Sequence, residues 1–282
     1  MAQGTSGTAQ ISGYFNSILE DALFVARESM IMPSLVTQYS AVGWADRKLS
    51  IYPQISASAV GETEDFANPT SFTKSAQATL SPSEVMAQVI LTDRRIDTDP
   101  DNARADSAKE LGAAIADKIE GDLLALFDSF TDTHGATGGT ASFSLQLVGN
   151  AVASLRASKA RGPFYCVLHP YQWLDVWNEI GKPSTSVVAA NAANQALSDY
   201  FVANLVNCLW YQHALIDTTS NKATAAVFNR EALALDTRKL PTLEPERDAS
   251  KRAWELNMSA GYAAGVRYDA MGCMLESDCT TP

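Results

Sequence analysis

The sequence predicts an α+β fold, and three observations lead to that prediction. An apolar stripe recurs at helical spacing over residues 107–130, which is long enough to cover a sheet. Apolar and polar side chains alternate over two segments within residues 49–80 and again, without a break, over residues 254–262, as in long strands. Between these regions, residues 144–180 follow a helix–strand–helix order, which is typical of an α/β unit.

The composition favours a packed protein that does not bind nucleic acid tightly. The chain has 282 residues, of which 46% are hydrophobic and 19% charged, and its net charge is −11. Strong phosphate binding normally requires a basic patch. No apolar run approaches the roughly 20 residues that a membrane-spanning helix needs, and residues 1–13 lack the features of a secretory signal. We therefore expect a soluble intracellular protein without a membrane partner.

The first third of the chain predicts a helix followed by a projecting hairpin. Residues 14–32 have a helical apolar face that Pro33 should end. Residues 49–56 and 71–80 alternate as two strands, and the acidic segment between them is typical of a solvated tip. A two-stranded hairpin is marginally stable in water. Another chain should therefore supply the burial that this arm lacks.

The long helix is predicted to begin at a capping box formed by Ser107 and Glu110. The acidic residues before it, Asp97, Asp99 and Asp101, match the first three ligand positions of a calcium loop. Because the bidentate Glu at the twelfth position is missing, we interpret this segment as a solvated loop. An alternating strand over residues 85–91 precedes it.

The second half of the chain predicts alternating helices and strands and then a long strand. The predicted elements are helix 144–158, strand 164–168, a short helix carrying Trp173 and Trp177, helix 189–204, strand 205–211, a strand region over 223–235, the long strand 254–262 and a last pairing segment over 266–275.

No catalytic, cofactor or metal site is predicted. The sequence has three histidines and no GxSxG elbow, and Cys166 with His169 supplies only two of the ligands that zinc needs. Four cysteines without a CxxC pair are interpreted as structural, mostly buried thiols. The carboxylate pairs Asp117/Glu120 and Glu244/Glu246 are interpreted as solvated faces.

The order of these elements resembles that of tailed-bacteriophage major capsid proteins, whose fold is shared with encapsulin shells. The segment FYCVLHPYQWLDVW at 164–177 resembles the strand, proline and Trp-bearing helix of that family's axial domain. The resemblance implies a phage major-capsid fold with a long spine helix, long antiparallel strands, an extended β-hairpin arm and an α/β axial domain.

The resemblance also implies a division of the chain. The implied parts are an N-terminal arm (1–48), an extended loop (49–82), a peripheral domain (83–143 and 245–268) with the spine helix at 107–130, and an axial domain (144–244 and 269–282). The residues expected to contact other subunits are Glu62, Glu64, Asp65 and Phe66 at the loop tip and Trp173 and Trp177 in the axial domain.

The implied function is structural. Subunits would assemble into pentamers and hexamers of an icosahedral virion head that encloses double-stranded DNA without sequence-specific binding, with assembly in the host cytoplasm. The other implied partners are a portal and decoration proteins. Either a separate scaffolding protein is also implied, or none. Two alternatives stay open: an encapsulin-type compartment with the same fold, and an α/β hydrolase-like enzyme.

Overall fold

The computed structural model describes residues 30–52, 55–62, 72–98, 100–135, 141–181 and 204–280. Several predictions from the sequence fall outside these ranges. They are the helix over 14–32 except its last residues, the helix over 189–204 except Asn204, and the positions of Glu64, Asp65, Phe66 and Asp99.

Five helices and twelve strands lie within the described residues. The helices are α1 (Met32–Leu35), α2 (Asp93–Thr98), α3 (Pro100–Ala125), α4 (Leu145–Ala157) and α5 (Pro170–Gly181). The strands are β1 (Thr37–Ser40), β2 (Arg47–Ile51), β3 (Ser75–Leu80), β4 (Ser83–Thr92), β5 (Thr133–Gly135), β6 (Phe164–Leu168), β7 (Asn204–Leu205), β8 (Cys208–Gln212), β9 (Lys222–Asn229), β10 (Leu233–Asp248), β11 (Ala253–Val266) and β12 (Gly272–Asp278).

The long strands form a four-stranded sheet in the order β1-β10-β11-β4. The predicted alternation is confirmed in β11, which is antiparallel to both β10 and β4. The predicted strand region over 223–235 is wrong in its limits. Ala232 N donates to Asn229 O and closes a turn there, so that β9 ends and the sixteen-residue β10 begins.

A six-stranded sheet in the order β5-β12-β9-β6-β8-β7 forms the second layer. The predicted strand 164–168 is confirmed as β6. The predicted single strand over 205–211 is wrong, because Val206 and Asn207 have φ angles of 54° and 60°. Two consecutive residues with positive φ make a tight hairpin turn, which separates β7 from β8.

The long helix begins earlier than its sequence pattern predicts. The helix α3 starts at Pro100, because proline lacks the N–H that the first helical position leaves unsatisfied. Ser107 is buried inside the helix, so the capping box that it was predicted to form with Glu110 is wrong. A 3₁₀ turn over Leu126–Ser129 continues the helix. No helix in the described ranges has the length and apolarity needed to cross a membrane.

Two hydrophobic cores cover the two faces of the six-stranded sheet. On one face, the stripe of α3 that includes Leu111, Ile115 and Leu123 packs between this sheet and the four-stranded one. On the other face, α4 and α5 pack their apolar sides on the strands, and Trp173 lies edge-to-face against Trp210 with ring centroids 5.5 Å apart. The hairpin of β2 and β3 lies outside both cores and has a small cluster of its own.

Candidate intersubunit surfaces

The predicted hairpin is present as the antiparallel pair β2–β3. The pair begins with Arg47 opposite Leu80 and ends with Ile51 opposite Ser75. The alternation of apolar and polar side chains continues beyond Ile51, but the strand ends there. We call β2 and β3 the hairpin base, and residues 52–74, of which 52, 55–62 and 72–74 are described, the outer loop.

The hairpin base is attached to its own subunit by a small apolar cluster. Leu49 and Leu80 are buried against Ala234 of β10 and Ala263 of β11. Gly265 allows this approach, because a Cβ atom there would lie 2.5 Å from Leu80 Cδ2. Burying a leucine side chain contributes roughly 1.5–3 kcal/mol. This cluster therefore fixes the base on the four-stranded sheet.

A buried carboxylate adds a polar attachment beside that cluster. Asp236 of β10 has no accessible surface, and its Oδ2 lies 2.7 Å from Arg47 Nε of the hairpin and 2.7 Å from Arg238 Nη2. Arg47 also donates to the Ser40 carbonyl at 3.3 Å, and Arg238 donates to the Gly43 carbonyl at 3.1 Å. The hydrogen bond to Asp236 raises the pKa of the Arg47 guanidinium. One carboxylate thus joins the hairpin base to β10.

The outer loop has the opposite character, because the large apolar side chains described in it are about half exposed. The relative exposures are 48% for Tyr52, 56% for Ile55, 48% for Val60 and 57% for Phe72. Tyr52 and Phe72 stack in parallel with centroids 4.6 Å apart, and Lys74 Nζ lies 5.6 Å from the Tyr52 ring. A group of exposed apolar side chains on a projecting segment is typical of a protein–protein contact.

The predicted contact residues fall into three groups. Glu62 is exposed in the outer loop, while Glu64, Asp65 and Phe66 lie outside the described residues. Trp173 has no accessible surface and packs inside its own subunit. Such a side chain has no surface to offer a neighbour, so we remove Trp173 from the predicted contact set. Trp177 is half-buried at the edge of the same core.

Two other surfaces expose large apolar side chains. Beside β1 and β10, an open groove of about 730 Å³ includes the fully exposed Val42 and the exposed Leu240 in its lining. On β4, Met86 and Ile90 are exposed and alternate with half-buried residues that face α3. β4 is also an edge strand of its sheet, and such an edge can pair with another chain. Both surfaces were missed in the sequence.

The start of the described chain is held on the long helix by a buried glutamate. Glu120 of α3 is 1% exposed and accepts hydrogen bonds from the Ile31 and Met32 amides, the latter at 3.0 Å. His213 Nε2 lies 3.8 Å from Glu120 Oε2. Burial raises the pKa of Glu120, although the amide hydrogen bonds oppose that shift. The interpretation of Glu120 as part of a solvated pair is therefore wrong, whereas Asp117 is exposed as predicted.

The histidines and cysteines are mostly buried. All four cysteines are free and buried, as predicted. His169 lies beside Cys279, with Nδ1 and Sγ 3.3 Å apart, rather than forming a site with Cys166. Burial lowers the pKa of His169 and of His213.

The carboxylate that matters most for the hairpin, Asp236, is not among the residues predicted from the sequence. Asp236 follows the buried run of residues 232–235. A single charge at the end of such a run signals a paired buried group. Arg238 lies two residues away in the same strand, but Arg47 could not be identified from the sequence, because it is far away along the chain.

A comparison with protein families finds a match over most of the chain. A family model described as phage capsid protein matches residues 87–273, about two thirds of the chain. No curated protein matches the sequence.

Solved structures with a similar fold are capsid structures and a virus-like particle. The capsid of Helicobacter pylori bacteriophage KHP30 matches with a TM-score of 0.70 and 12% identity, covering 87% of this chain and 88% of that one. The capsid of cyanophage P-SCSP1u gives 0.68 and 11%, covering 89% of each chain. A virus-like particle from Pyrococcus furiosus gives 0.62 and 12%, covering 93% of this chain and 99% of that one. These similarities establish the fold.

Proposed function

The chain belongs to the phage capsid protein family and is a structural protein of the virion capsid, and from this premise we propose how it assembles. Subunits associate into pentamers and hexamers, which form the icosahedral head shell of a tailed bacteriophage around double-stranded DNA. The outer loop of each subunit lies over a neighbouring subunit. The observation that carries this proposal is the half-exposed set of Tyr52, Ile55, Val60 and Phe72.

The energetics of the hairpin support an intersubunit role for the outer loop. A two-stranded hairpin needs a further packing surface to be stable. The base has one on its own subunit, while the described apolar side chains of the outer loop remain accessible. Burying half of one such side chain contributes on the order of 1 kcal/mol. Repeated at each copy in a closed shell, this contribution favours assembly strongly over the free subunit.

We also propose a division of the chain for assembly. We assign the N-terminal arm, extended loop, peripheral domain and axial domain to the residue ranges that the sequence analysis predicts. The axial region around residues 164–240 packs about the symmetry axes of the capsomers, and Trp177 and Glu62 remain in the proposed contact set.

Other partners follow from the same function. A separate scaffolding protein, a portal and decoration proteins are the expected partners, and assembly takes place in the host cytoplasm. The net charge of −11 suits an inner wall that does not bind packaged DNA tightly. Stoichiometric binding of duplex DNA by free subunits at physiological salt would contradict this part of the proposal. No enzymatic role is proposed.

Electron microscopy of the expressed full chain tests the assembly. We expect closed particles of uniform diameter, built from pentamers and hexamers. If the chain remains a monomer or small oligomer at concentrations at which capsid proteins assemble, the proposal is overturned.

An encapsulin-type compartment is the second candidate, because the virus-like particle from Pyrococcus furiosus matches over most of both chains. Particles isolated from the native source distinguish the two. Nuclease-protected double-stranded DNA inside them supports the phage head, and an enclosed cargo protein without DNA supports the compartment.

A further inference from the structure

Three side chains that are candidate metal ligands meet at one edge of the six-stranded sheet. Asp132 precedes the edge strand β5, His134 lies in β5, and Cys273 lies in the neighbouring strand β12. One ligand atom from each residue lies within 4.8 Å of the other two. These residues are distant from the hairpin in the sequence and belong to none of the surfaces described above.

The backbone around this cluster is closely fixed. β5 is parallel to β12, and the Met274 amide donates to the Asp132 carbonyl at 2.8 Å. Gly135 has a φ of +116°, and a Cβ atom there would lie 2.0 Å from the Glu276 carbonyl oxygen. Only glycine therefore permits this approach of the two strands. The three residues are held in place by the sheet itself.

A hydrogen bond from a third element orients the carboxylate. Ser154 of α4 donates its hydroxyl to Asp132 Oδ2. The other oxygen, Oδ1, faces His134. This arrangement resembles the outer hydrogen bonds that orient the ligands of metal sites.

The imidazole of His134 has one ring nitrogen that lacks a hydrogen-bond partner among the described residues. His134 Nε2 is buried and has no hydrogen-bond partner among the described residues. It lies 3.7 Å from Asp132 Oδ1, which is too far for a hydrogen bond. Two ligand atoms, each about 2.1 Å from a tetrahedral zinc ion, are roughly 3.4 Å apart. The distance between His134 Nε2 and Asp132 Oδ1 is therefore closer to that between two ligands of one zinc ion than to that of a hydrogen bond.

We propose that Asp132, His134 and Cys273 bind one zinc ion, with water as the fourth ligand. A thiolate, an imidazole and a carboxylate together suit zinc better than calcium or magnesium, which prefer oxygen ligands. The Asp132 and His134 side chains are 37% and 29% exposed, so that an ion can enter from solvent. Cys273 is buried behind them.

Binding requires the loss of one proton. Cys273 is a free, buried thiol in the folded chain. Zinc coordination displaces this proton to solvent, since a coordinating thiol is deprotonated. The ion then ties β5 to β12. Because zinc held by all three ligands requires the folded arrangement, it stabilises the native state.

Zinc content and affinity test this site on the full chain, as subunits or as particles. Protein treated with a chelator and then dialysed against zinc should retain one zinc ion per chain. Cobalt in place of zinc should give the near-ultraviolet absorption of a cobalt–thiolate bond. Substituting Cys273→Ser should abolish that absorption, and both Cys273→Ser and His134→Ala should weaken zinc binding by at least about tenfold.

A matched control separates this site from other thiols. Cys279→Ser removes a buried thiol that also lies beside a histidine but outside the cluster, and zinc affinity should be unchanged. His134→Ala, at a half-buried edge-strand position, provides a variant that should fold even where Cys273→Ser does not. The proposal is overturned if the wild-type chain retains no zinc, or if zinc remains bound with the same affinity in His134→Ala.

Discussion

The hairpin base and the outer loop belong to the same two chain segments but differ in what covers their apolar side chains. At the base, Leu49 and Leu80 are buried on their own subunit, and Asp236 adds an ionic attachment. Beyond Ile51, Tyr52 and the other large apolar side chains described in the outer loop are about half exposed. The contrast places the limit of intrasubunit packing at the end of the β2–β3 strand pair.

The two regions should therefore affect two different free energies, that of subunit unfolding and that of shell assembly. Substitutions at the base should change the stability of the isolated subunit, because the lost contacts are internal. Substitutions in the outer loop should leave that stability nearly unchanged and act on assembly.

Asp236→Ala should have the largest effect on subunit stability. It leaves the Arg238 guanidinium, whose side chain is 5% exposed, without its carboxylate partner. Removing one partner of a buried ion pair lowers the free energy of unfolding by about 3–5 kcal/mol. Denaturant unfolding of the unassembled subunit should show a loss of this size.

Asp93→Ala is the matched control. Asp93 forms a two-pronged pair with Arg247, at 2.7 Å for both contacts, but this pair is exposed. Its loss should change stability far less than the loss of Asp236. Equal effects from the two substitutions would show that the hairpin base is not fixed by a buried charge.

Acidification should destabilise the body of the subunit by a smaller amount. The pKa values of His169 and His213 are lowered from 6.5 by burial. The unfolded chain therefore binds more protons just below pH 6.5, and stability falls as the pH drops through that value. Each histidine contributes less than about 1.4 kcal/mol per pH unit.

The raised pKa of Glu120 acts in the opposite direction, since the folded state then binds more protons above pH 4.5. Unfolding midpoints between pH 7.5 and 5.5 should fall in the wild type and fall less in His169→Asn and His213→Asn. The outer loop contains no histidine. If the unfolding midpoints of both variants fell as steeply with pH as those of the wild type, the two histidines would not be the source of the acid sensitivity.

The paired substitution Ile55→Ser and Val60→Ser should have the smallest effect on the subunit and a large effect on the shell. Both side chains are about half exposed, and exposed substitutions usually change stability by less than about 0.5 kcal/mol. Unfolding midpoints should match the wild type, while light scattering should show slower or absent assembly. Leu49→Ser provides the contrast, because it should lower the unfolding midpoint.

Much of the fold could be predicted from local patterns, and the attachments between segments could not. Alternation predicts β11, the spacing of Val85, Ala87, Val89 and Leu91 predicts β4, and the stripe from Leu111 to Phe127 predicts most of α3. The start of α3 was wrong, because the Ser107–Glu110 pattern imitates a cap inside a continuous helix. Glu120 is predicted to be solvated because carboxylates are rarely buried, and its actual partners, backbone amides, leave no signal in the sequence.

The candidate contact surface could be predicted in its location but not in all its residues. The under-buried hairpin indicates a contact with another chain, and the exposed side chains described there agree with it. In the axial domain, Trp173 is predicted as a contact residue, but its position on α5 turns it inward toward Trp210. Aromatic residues of cores and of interfaces have the same sequence pattern, so only the packing distinguishes them.

Deletion of residues 57–69 tests the central claim most directly. The wild-type and deleted chains are compared by chemical unfolding of the subunit and by electron microscopy of the assembly reaction. We predict the same unfolding midpoint for both chains and closed shells from the wild type alone. Normal shells from the deleted chain would contradict the claim that the outer loop lies over a neighbouring subunit.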